Sequence, residues 1–278
     1  MKTKLMDQFK LEGKKALVTG GGSGMGLEFT RILAEAGATV MIAARNEKRL
    51  KAAADEITSE TGSKVHYRKV DLSDRREAET LILDAQKIMG GLDIFVGNAA
   101  MDMFSTVETF DEATYEKMMS VNFDSNMWMT RAAVPAMKKN RWGRIIYISS
   151  LASSMGHRHF NLGLYSSSKA ALEGYARYAA VELGAEGITV NVIAPGSVKT
   201  PMMEASVAAG FADASKEERD AVSSYITSLI PLNRLAQPHE LAGMVLLLAS
   251  DAGSYITGVR YVIDGGWTIM GDTMSKNK

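Results

Sequence analysis

Seven short apolar runs punctuate the chain: Ala16–Thr19, Thr39–Ala43, Val65–Val70, Leu92–Val96, Arg144–Ile148, Thr189–Ile193 and Val259–Ile263. Most are continuous rather than alternating, the pattern of strands buried on both faces. Between them the apolar positions recur at helical spacing, as in Leu27–Ala36, Glu47–Glu60, Asp74–Met89, Ala113–Met137 and Tyr165–Leu183. Strands separated by helices predict an α/β fold: a doubly wound parallel sheet of about seven strands with helices on both faces, and ligands at the carboxyl ends of the strands. One domain is expected over residues 1–278. One stretch breaks the rhythm. Residues 197–230 lie between the sixth and seventh runs and carry Met202, Met203, Val207 and Phe211, spaced to share a helix face, then the charged run 216–220. An excursion of that length at the ligand edge predicts a mobile lid, with Gly210 as a flexible point.

Composition narrows the class. Lys plus Arg and Asp plus Glu are both 32, so the formal net charge is zero. Neither nucleic acid nor an anionic membrane surface is indicated as a partner. The chain has no Cys, which removes disulfide and thiolate chemistry and suits a cytoplasmic location. It carries neither a signal-peptide pattern at its start nor an apolar run long enough for a membrane span.

The first apolar run leads into Thr19-Gly20-Gly21-Gly22-Ser23-Gly24-Met25-Gly26, five glycines in eight positions, and then into a helix. Strand, glycine turn and helix together make a dinucleotide-site candidate. Missing Cβ atoms let a pyrophosphate approach the backbone, and a helix N-terminus offers free N–H groups and a positive dipole end. A flexible strand-to-helix loop is the plainer alternative. The second run ends Ala43-Ala44-Arg45-Asn46. An acid at this strand end binds the ribose 2′-hydroxyl of NAD. Here Ala44 stands in that place, and the Arg45 guanidinium suits a 2′-phosphate. NADP(H) is therefore the expected cofactor, with NAD(H) possible.

Tyr165 and Lys169 are four apart on one predicted helix face, just downstream of an apolar strand that ends in Ser149-Ser150. A tyrosine that exchanges protons near neutral pH must come down from a pKa of about 10, at a cost of about 4 kcal/mol. A Lys ammonium roughly 4 Å away supplies about that much at an effective dielectric of about 20.

Taken in order, Thr19–Gly26, Asn98-Ala99-Ala100, Asn122, Ser150, Tyr165-x3-Lys169, Pro195-Gly196-x3-Thr200 and Asp264-Gly265-Gly266 resemble the short-chain dehydrogenase/reductase family in its ordinary single-domain form. The match runs from about Leu11 to Trp267. The resemblance implies a Rossmann-like fold and an oxidoreductase acting on a ketone or secondary alcohol. It implies that Tyr165 exchanges a proton with the substrate oxygen and that Lys169 lowers the tyrosine pKa and holds the nicotinamide ribose. Ser150 would polarise the carbonyl, and Asn122 would order a water beside Lys169. It places Gly20, Gly22, Ser23, Gly24, Met25, Gly26, Arg45, Asp71, Leu72, Asn98, Ala99, Ala100, Tyr165, Lys169, Pro195, Gly196, Val198 and Thr200 against the cofactor, with Asp71 and Leu72 beside the adenine. It also implies a homo-oligomer, a tetramer or dimer. Other readings stay open: one of Ser149 and Ser150 as a simple cap, and Asn122 as a tie for helix backbone.

Three departures from the family pattern stand out. Gly97-Asn98-Ala99-Ala100 replaces the usual Asn-Asn-Ala-Gly, Ser23 stands where many NADP-using relatives have a second basic residue, and the segment from Ser150 to Tyr165 is longer than usual. The extra length falls near His157-Arg158-His159-Phe160, a loop or substrate contact rather than a metal site, so no metal is expected. Met101, Met103, Met155, Met202 and Met203 are the expected pocket lining, which favours a bulky hydrophobic substrate, steroid-like or cyclic. Rivals are a 3-oxoacyl reductase, a sugar or polyol dehydrogenase, and a non-catalytic nucleotide-binding protein. Carrier-protein recognition would use basic residues on two helices. Arg141 matches one position, but Glu186 occupies the other.

Overall fold

The computed structural model describes residues 4–156, 160–210 and 215–270. The strands are β1 Lys15–Thr19, β2 Thr39–Ala44, β3 Val65–Lys69, β4 Ile94–Gly97, β5 Gly143–Ile148, β6 Ile188–Pro195 and β7 Arg260–Ile263. They form one sheet in the order β3-β2-β1-β4-β5-β6-β7, every pair parallel. The sheet winds outward from β1 in one direction and from β4 in the other. The switch between β1 and β4 is where a doubly wound sheet opens a crevice for ligand.

The long helices are α1 Gly24–Glu35, α2 Glu47–Thr61, α3 Arg75–Met89, α4 Glu112–Met119, α5 Ser125–Asn140, α6 Gly163–Leu183, α7 Pro201–Gly210, α8 Lys216–Ser228 and α9 Ala242–Ala249. Sequence chemistry sets their starts. The Asn46 side chain accepts from Arg49 N–H, and Asp74 from Arg76 and Glu77 N–H, so each carboxyl or amide oxygen satisfies an orphan donor. Alternation along the strands then divides the core. Val18, Ile42, Val96 and Ile146 pack with Phe29, Leu33, Leu50 and Val245 of α1, α2 and α9. Leu17, Met41, Phe95 and Ile145 face the other way, onto Leu81, Met129, Met137 and Leu172 of α3, α5 and α6. A smaller cluster of Leu151, Ile226, Ile230 and Trp267 sits under α8, beyond the carboxyl ends of β5 and β6.

Two predicted elements differ from what forms. The single helix expected over Ala113–Met137 is α4 and α5 joined by a π-helical turn, Ser120–Asp124. A π turn inserts one residue without disturbing the apolar face enough to show in the periodicity. The excursion 197–230 holds two helices, α7 and α8, and the charged run opens α8. There Ser215 Oγ accepts from Glu218 N–H at 3.2 Å while Glu218 Oε2 accepts from Ser215 N–H at 2.7 Å. Phe211, His157, Arg158 and His159 lie outside the described residues. Among the described residues no helix is long and apolar enough to cross a membrane.

Candidate active site

The carboxyl ends of β1, β2, β3 and β4 open onto one cleft of about 420 Å³, and the predicted cofactor residues meet there except Pro195, Gly196 and Val198, which line an adjoining pocket. Gly20, Gly22, Ser23, Gly24, Met25 and Gly26 form its floor, Arg45 the end of β2, Asp71 and Leu72 the end of β3, and Asn98, Ala99 and Ala100 the end of β4. The floor is tight. A Cβ on Gly26 would lie 2.2 Å from Gly20 O, so no other residue fits without moving backbone. The turn is pinned from the side: Thr19 Oγ1 accepts from Asn98 N and Ala99 N, both at 3.0 Å, and Asn98 Nδ2 donates to Thr19 O at 2.8 Å. These bonds join β1 to β4 at the switch point and point the N-terminus of α1 into the cleft. The geometry fits a dinucleotide: a backbone cradle with no side chains in the way, at a positive helix end. Asp71 is held below the usual carboxylate range by hydrogen bonds from Ser73, backbone first and then hydroxyl. The exposed Arg45 lines the cleft, and so does Arg49 from the first turn of α2, a second guanidinium that the sequence did not single out.

The departure at Gly97 has a steric cause. A Cβ there would lie 2.1 Å from Asn126 Oδ1, so the α5 amide occupies the space a side chain needs.

Tyr165, from the first turn of α6, lines both this cleft and an adjoining pocket of about 200 Å³. The Ser150 hydroxyl, at the end of β5, is its hydrogen-bond partner. Ser150 Oγ also accepts from Ala152 N at 3.1 Å, so the hydroxyl caps the short turn after β5 and faces the phenol at once. Behind it lies a buried network. Glu173 Oε1 accepts from Ser149 Oγ at 2.7 Å, Ser153 Oγ at 2.6 Å and Arg260 Nε at 2.8 Å, and Arg260 reaches Ser150 O at 3.3 Å. Ser149 thus belongs to the scaffold, and Ser150 to the site.

Lys169 is buried, with Nζ donating to Ile148 O at 2.8 Å and lying 5.8 Å from the Tyr165 ring centroid. The electrostatics reverse the expected direction. Burial pushes the Tyr165 phenol up to about 12; the Ser150 bond lowers it, and the Asp102 charge raises it further. Burial brings Lys169 down to about 8, with Glu173 acting against it.

Asn122 sits on the π turn, fully buried. Its Oδ1 accepts from Met101 N, and its Nδ2 donates to Met101 O, both at 2.9 Å, and to Ser168 Oγ at 3.0 Å. The amide thereby ties the loop after β4 to the Tyr165 helix, with each of its polar atoms engaged.

Pro195, Gly196, Val198 and Thr200 line the adjoining pocket with Ser150 and Tyr165. Asp264 steadies this loop's neighbour, accepting from Gly266 N at 2.9 Å and Thr268 N at 2.7 Å. Of the methionines expected in the lining, Met202 and Met203 are there, but Met101 lines the nucleotide cleft instead. Met103 is 40% exposed, and Met155 packs against the Trp267 cluster. The apolar lining also includes Phe104, Phe160, Ile226 and Trp267, drawn from separated segments. Asp102 and Ser206 were also unforeseen in it, the Ser206 hydroxyl donating to Asp102 Oδ2. Arg141 and Glu186 lie at the opposite edge of the sheet, just before β5 and β6, where they pair with each other at 3.4 Å. They do not flank the pocket and carry no argument about a carrier protein.

Comparison with known proteins agrees with this geometry. A family profile described as enoyl-(acyl carrier protein) reductase matches residues 20–268. The 3-oxoacyl-[acyl-carrier-protein] reductase FabG of Aquifex aeolicus is 33% identical over 261 residues, covering 93% of this chain and 99% of that protein. A D-beta-hydroxybutyrate dehydrogenase of Cupriavidus necator is 31% identical over 258 residues, covering 92% of this chain and 98% of that one. A solved 3-oxoacyl (acyl-carrier-protein) reductase from Agrobacterium tumefaciens C58 with NADP bound superposes with a TM-score of 0.86 at 28% identity, over 95% of this chain and 97% of that chain.

Proposed function

This chain belongs to the short-chain dehydrogenase/reductase family of oxidoreductases acting on CH–OH groups, and from that premise we propose an NADP(H)-preferring ketone reductase for a hydrophobic, cyclic or steroid-like substrate. The observation that carries it is Tyr165, shared between a nucleotide cleft and an apolar pocket and hydrogen-bonded to Ser150. A carbonyl in the pocket accepts from both hydroxyls while its carbon faces the cleft. A phenol pushed up to about 12 by burial is protonated at neutral pH and can donate to a carbonyl oxygen. Lys169 holds the ribose and replenishes the proton, and Asn122 fixes the loop after β4 against α6. NADP(H), when bound in the cleft that Tyr165 and Lys169 line, would supply the hydride donor or acceptor.

Arg45 and Arg49 line the cleft where a 2′-phosphate is read, with no acid at the end of β2. The related structure with NADP bound supports the same preference. Met202, Met203, Phe104 and Trp267 favour bulky apolar substrates over polyols. Residues 197–230 serve as the lid. The protein acts in the cytoplasm as a dimer or tetramer with two-fold symmetry. The exposed Tyr178 and Val181 on α6, 83% and 84% accessible, support α6 as the interface. The second reading, reduction of 3-oxoacyl thioesters, is favoured by the name of the Aquifex relative. Oxidation of NADPH by cyclic ketones, steroid ketones and a 3-oxoacyl thioester separates the two. Turnover confined to the thioester overturns the first reading, and NADPH binding with no turnover on any of them overturns both.

A further inference from the structure

The apolar pocket contains a carboxylate. Asp102 lies in the loop after β4, half-buried, and lines the same pocket as Tyr165 and Ser150. Among the described residues that line this pocket none is Lys or Arg, and among the described ion pairs none involves Asp102. Its hydrogen-bond partner is a neutral hydroxyl, Ser206 on α7, which donates to Oδ2. A carboxylate accepts more hydrogen bonds than one, so this leaves acceptor capacity beside the pocket. Its charge also reaches the reacting end of the site, because it raises the phenol of Tyr165. A half-buried charge beside apolar walls interacts strongly with whatever enters, since little water screens it.

We propose that Asp102 sets the substrate class of this pocket: it selects apolar ketones that carry a protonated amine away from the carbonyl and rejects those that carry a carboxylate there. The proposal rests on the ketone-reductase reading above and narrows it. The aromatic and methionine walls hold the ring, Tyr165 and Ser150 take the carbonyl oxygen, and Asp102 accepts from the ammonium. Because Ser206 joins Asp102 to α7, the same contact draws the lid helix to the loop after β4.

The test uses three ketones of one ring size: 1-methyl-4-piperidone, protonated near neutral pH; 4-methylcyclohexanone; and 4-oxocyclohexanecarboxylate. The measurement is kcat/KM with NADPH for the full chain and for Asp102→Asn. Charges about 5 Å apart at an effective dielectric of about 20 discriminate by more than tenfold. The wild type should therefore prefer the piperidone over its neutral isostere about tenfold and disfavour the carboxylate by a similar factor. Asp102→Asn should bring the three within a few-fold of one another. Ser206→Ala, which keeps the charge, should preserve the order. The same ranking in wild type and Asp102→Asn, or a wild type indifferent to charge, overturns the proposal. Displacement of the fluorescence of bound NADPH by 1-methylpiperidine and by cyclohexanecarboxylate separates this failure from failure of the underlying reading. Charge-selective binding that is lost in Asp102→Asn upholds Asp102 even where no ketone is reduced, an outcome that sinks the reductase reading alone. Reduction of all three without charge preference sinks Asp102 alone.

Discussion

The nucleotide cleft and the substrate pocket meet at Tyr165 but are built on different terms. The floor of the cleft is made of backbone: a glycine turn too tight for a Cβ at Gly26, pinned by Thr19 and Asn98 between two central strands. The pocket is made of side chains from the loop after β4, the segment after β5, α7, α8 and Trp267, gathered over a small separate cluster. A backbone-built site depends on atoms that every residue carries and tolerates little change. A side-chain-built site changes its ligand one substitution at a time. The fold thus keeps one half constant while the other specifies the substrate.

The largest expected effect lies at the shared residue. Tyr165→Phe removes the proton donor and keeps the ring, so kcat should fall by about 10² to 10⁴ while NADPH affinity changes little. Near-normal turnover would remove the point at which the two halves are joined. Lys169 gives the next effect, through pH. Burial brings its folded pKa down to about 8 from the ordinary 10.5 of a lysine in water. Below about 8 the amine is charged in both folded and unfolded chains, and burial exacts its full cost, up to about 3 kcal/mol; above 10.5 it is neutral in both, and the cost is gone. The stability of the wild type relative to Lys169→Met should therefore rise with pH between about 8 and 10.5. Tyr165, common to both chains, works the other way above 10 and cancels in the difference. Denaturant midpoints for the two proteins across that range check the slope, and a flat difference would mean that Lys169 is not buried as a cation.

Smaller effects contrast the halves directly. Gly26→Ala places a Cβ against Gly20 O and should cost about 1–3 kcal/mol of stability and most of the nucleotide affinity. Calorimetric titration with NADP would show it. Arg45→Ala should weaken NADP(H) about tenfold and leave NAD(H) nearly unchanged, the worth of one charge-assisted phosphate contact. Equal kinetic constants for both cofactors in the wild type would remove the preference.

The same contrast explains what could be read from the chain. The strands and the glycine turn declare themselves locally, because an apolar run or a glycine cluster means the same thing wherever it occurs. Tyr165, Lys169 and Ser150 were legible through ordered motifs. Asp102 was not, because a lone acid in a loop acquires meaning only when Ser206, more than a hundred positions away, is brought against it. Arg49 reads as the solvated face of α2 until the fold shows that it lines the cleft with Arg45. Arg141 and Glu186 misled for the converse reason: counting along α5 and α6 does not say which edge of the sheet their ends reach. The π turn at Asn122 hides inside an unbroken helical period.

The mildest effect concerns α7, where the pocket borders the two-helix excursion. Met202 is 40% exposed, and Met203 packs against the cluster under Trp267. Met202 also lines the nucleotide cleft, so it sits over the junction rather than in the core. Methionine at such a position adapts to ligands of different shape. Met202→Ala should therefore change kcat/KM ratios between bulky and small ketones by a few-fold, with little change in NADPH affinity. Met203→Ala, which also opens a gap in the cluster, should lower the unfolding midpoint as well. Amide hydrogen exchange supplies the matching measurement. Protection across the described parts of 197–230 should rise when NADPH and a ketone analogue bind together, and rise less with NADPH alone, since closure brings α7 over the pocket. Equal protection with and without ligand would mean that α7 is fixed wall. The substrate half would then be as rigid as the nucleotide half, and substrate choice would rest on the shape of the lining and the charge of Asp102, with no contribution from closure.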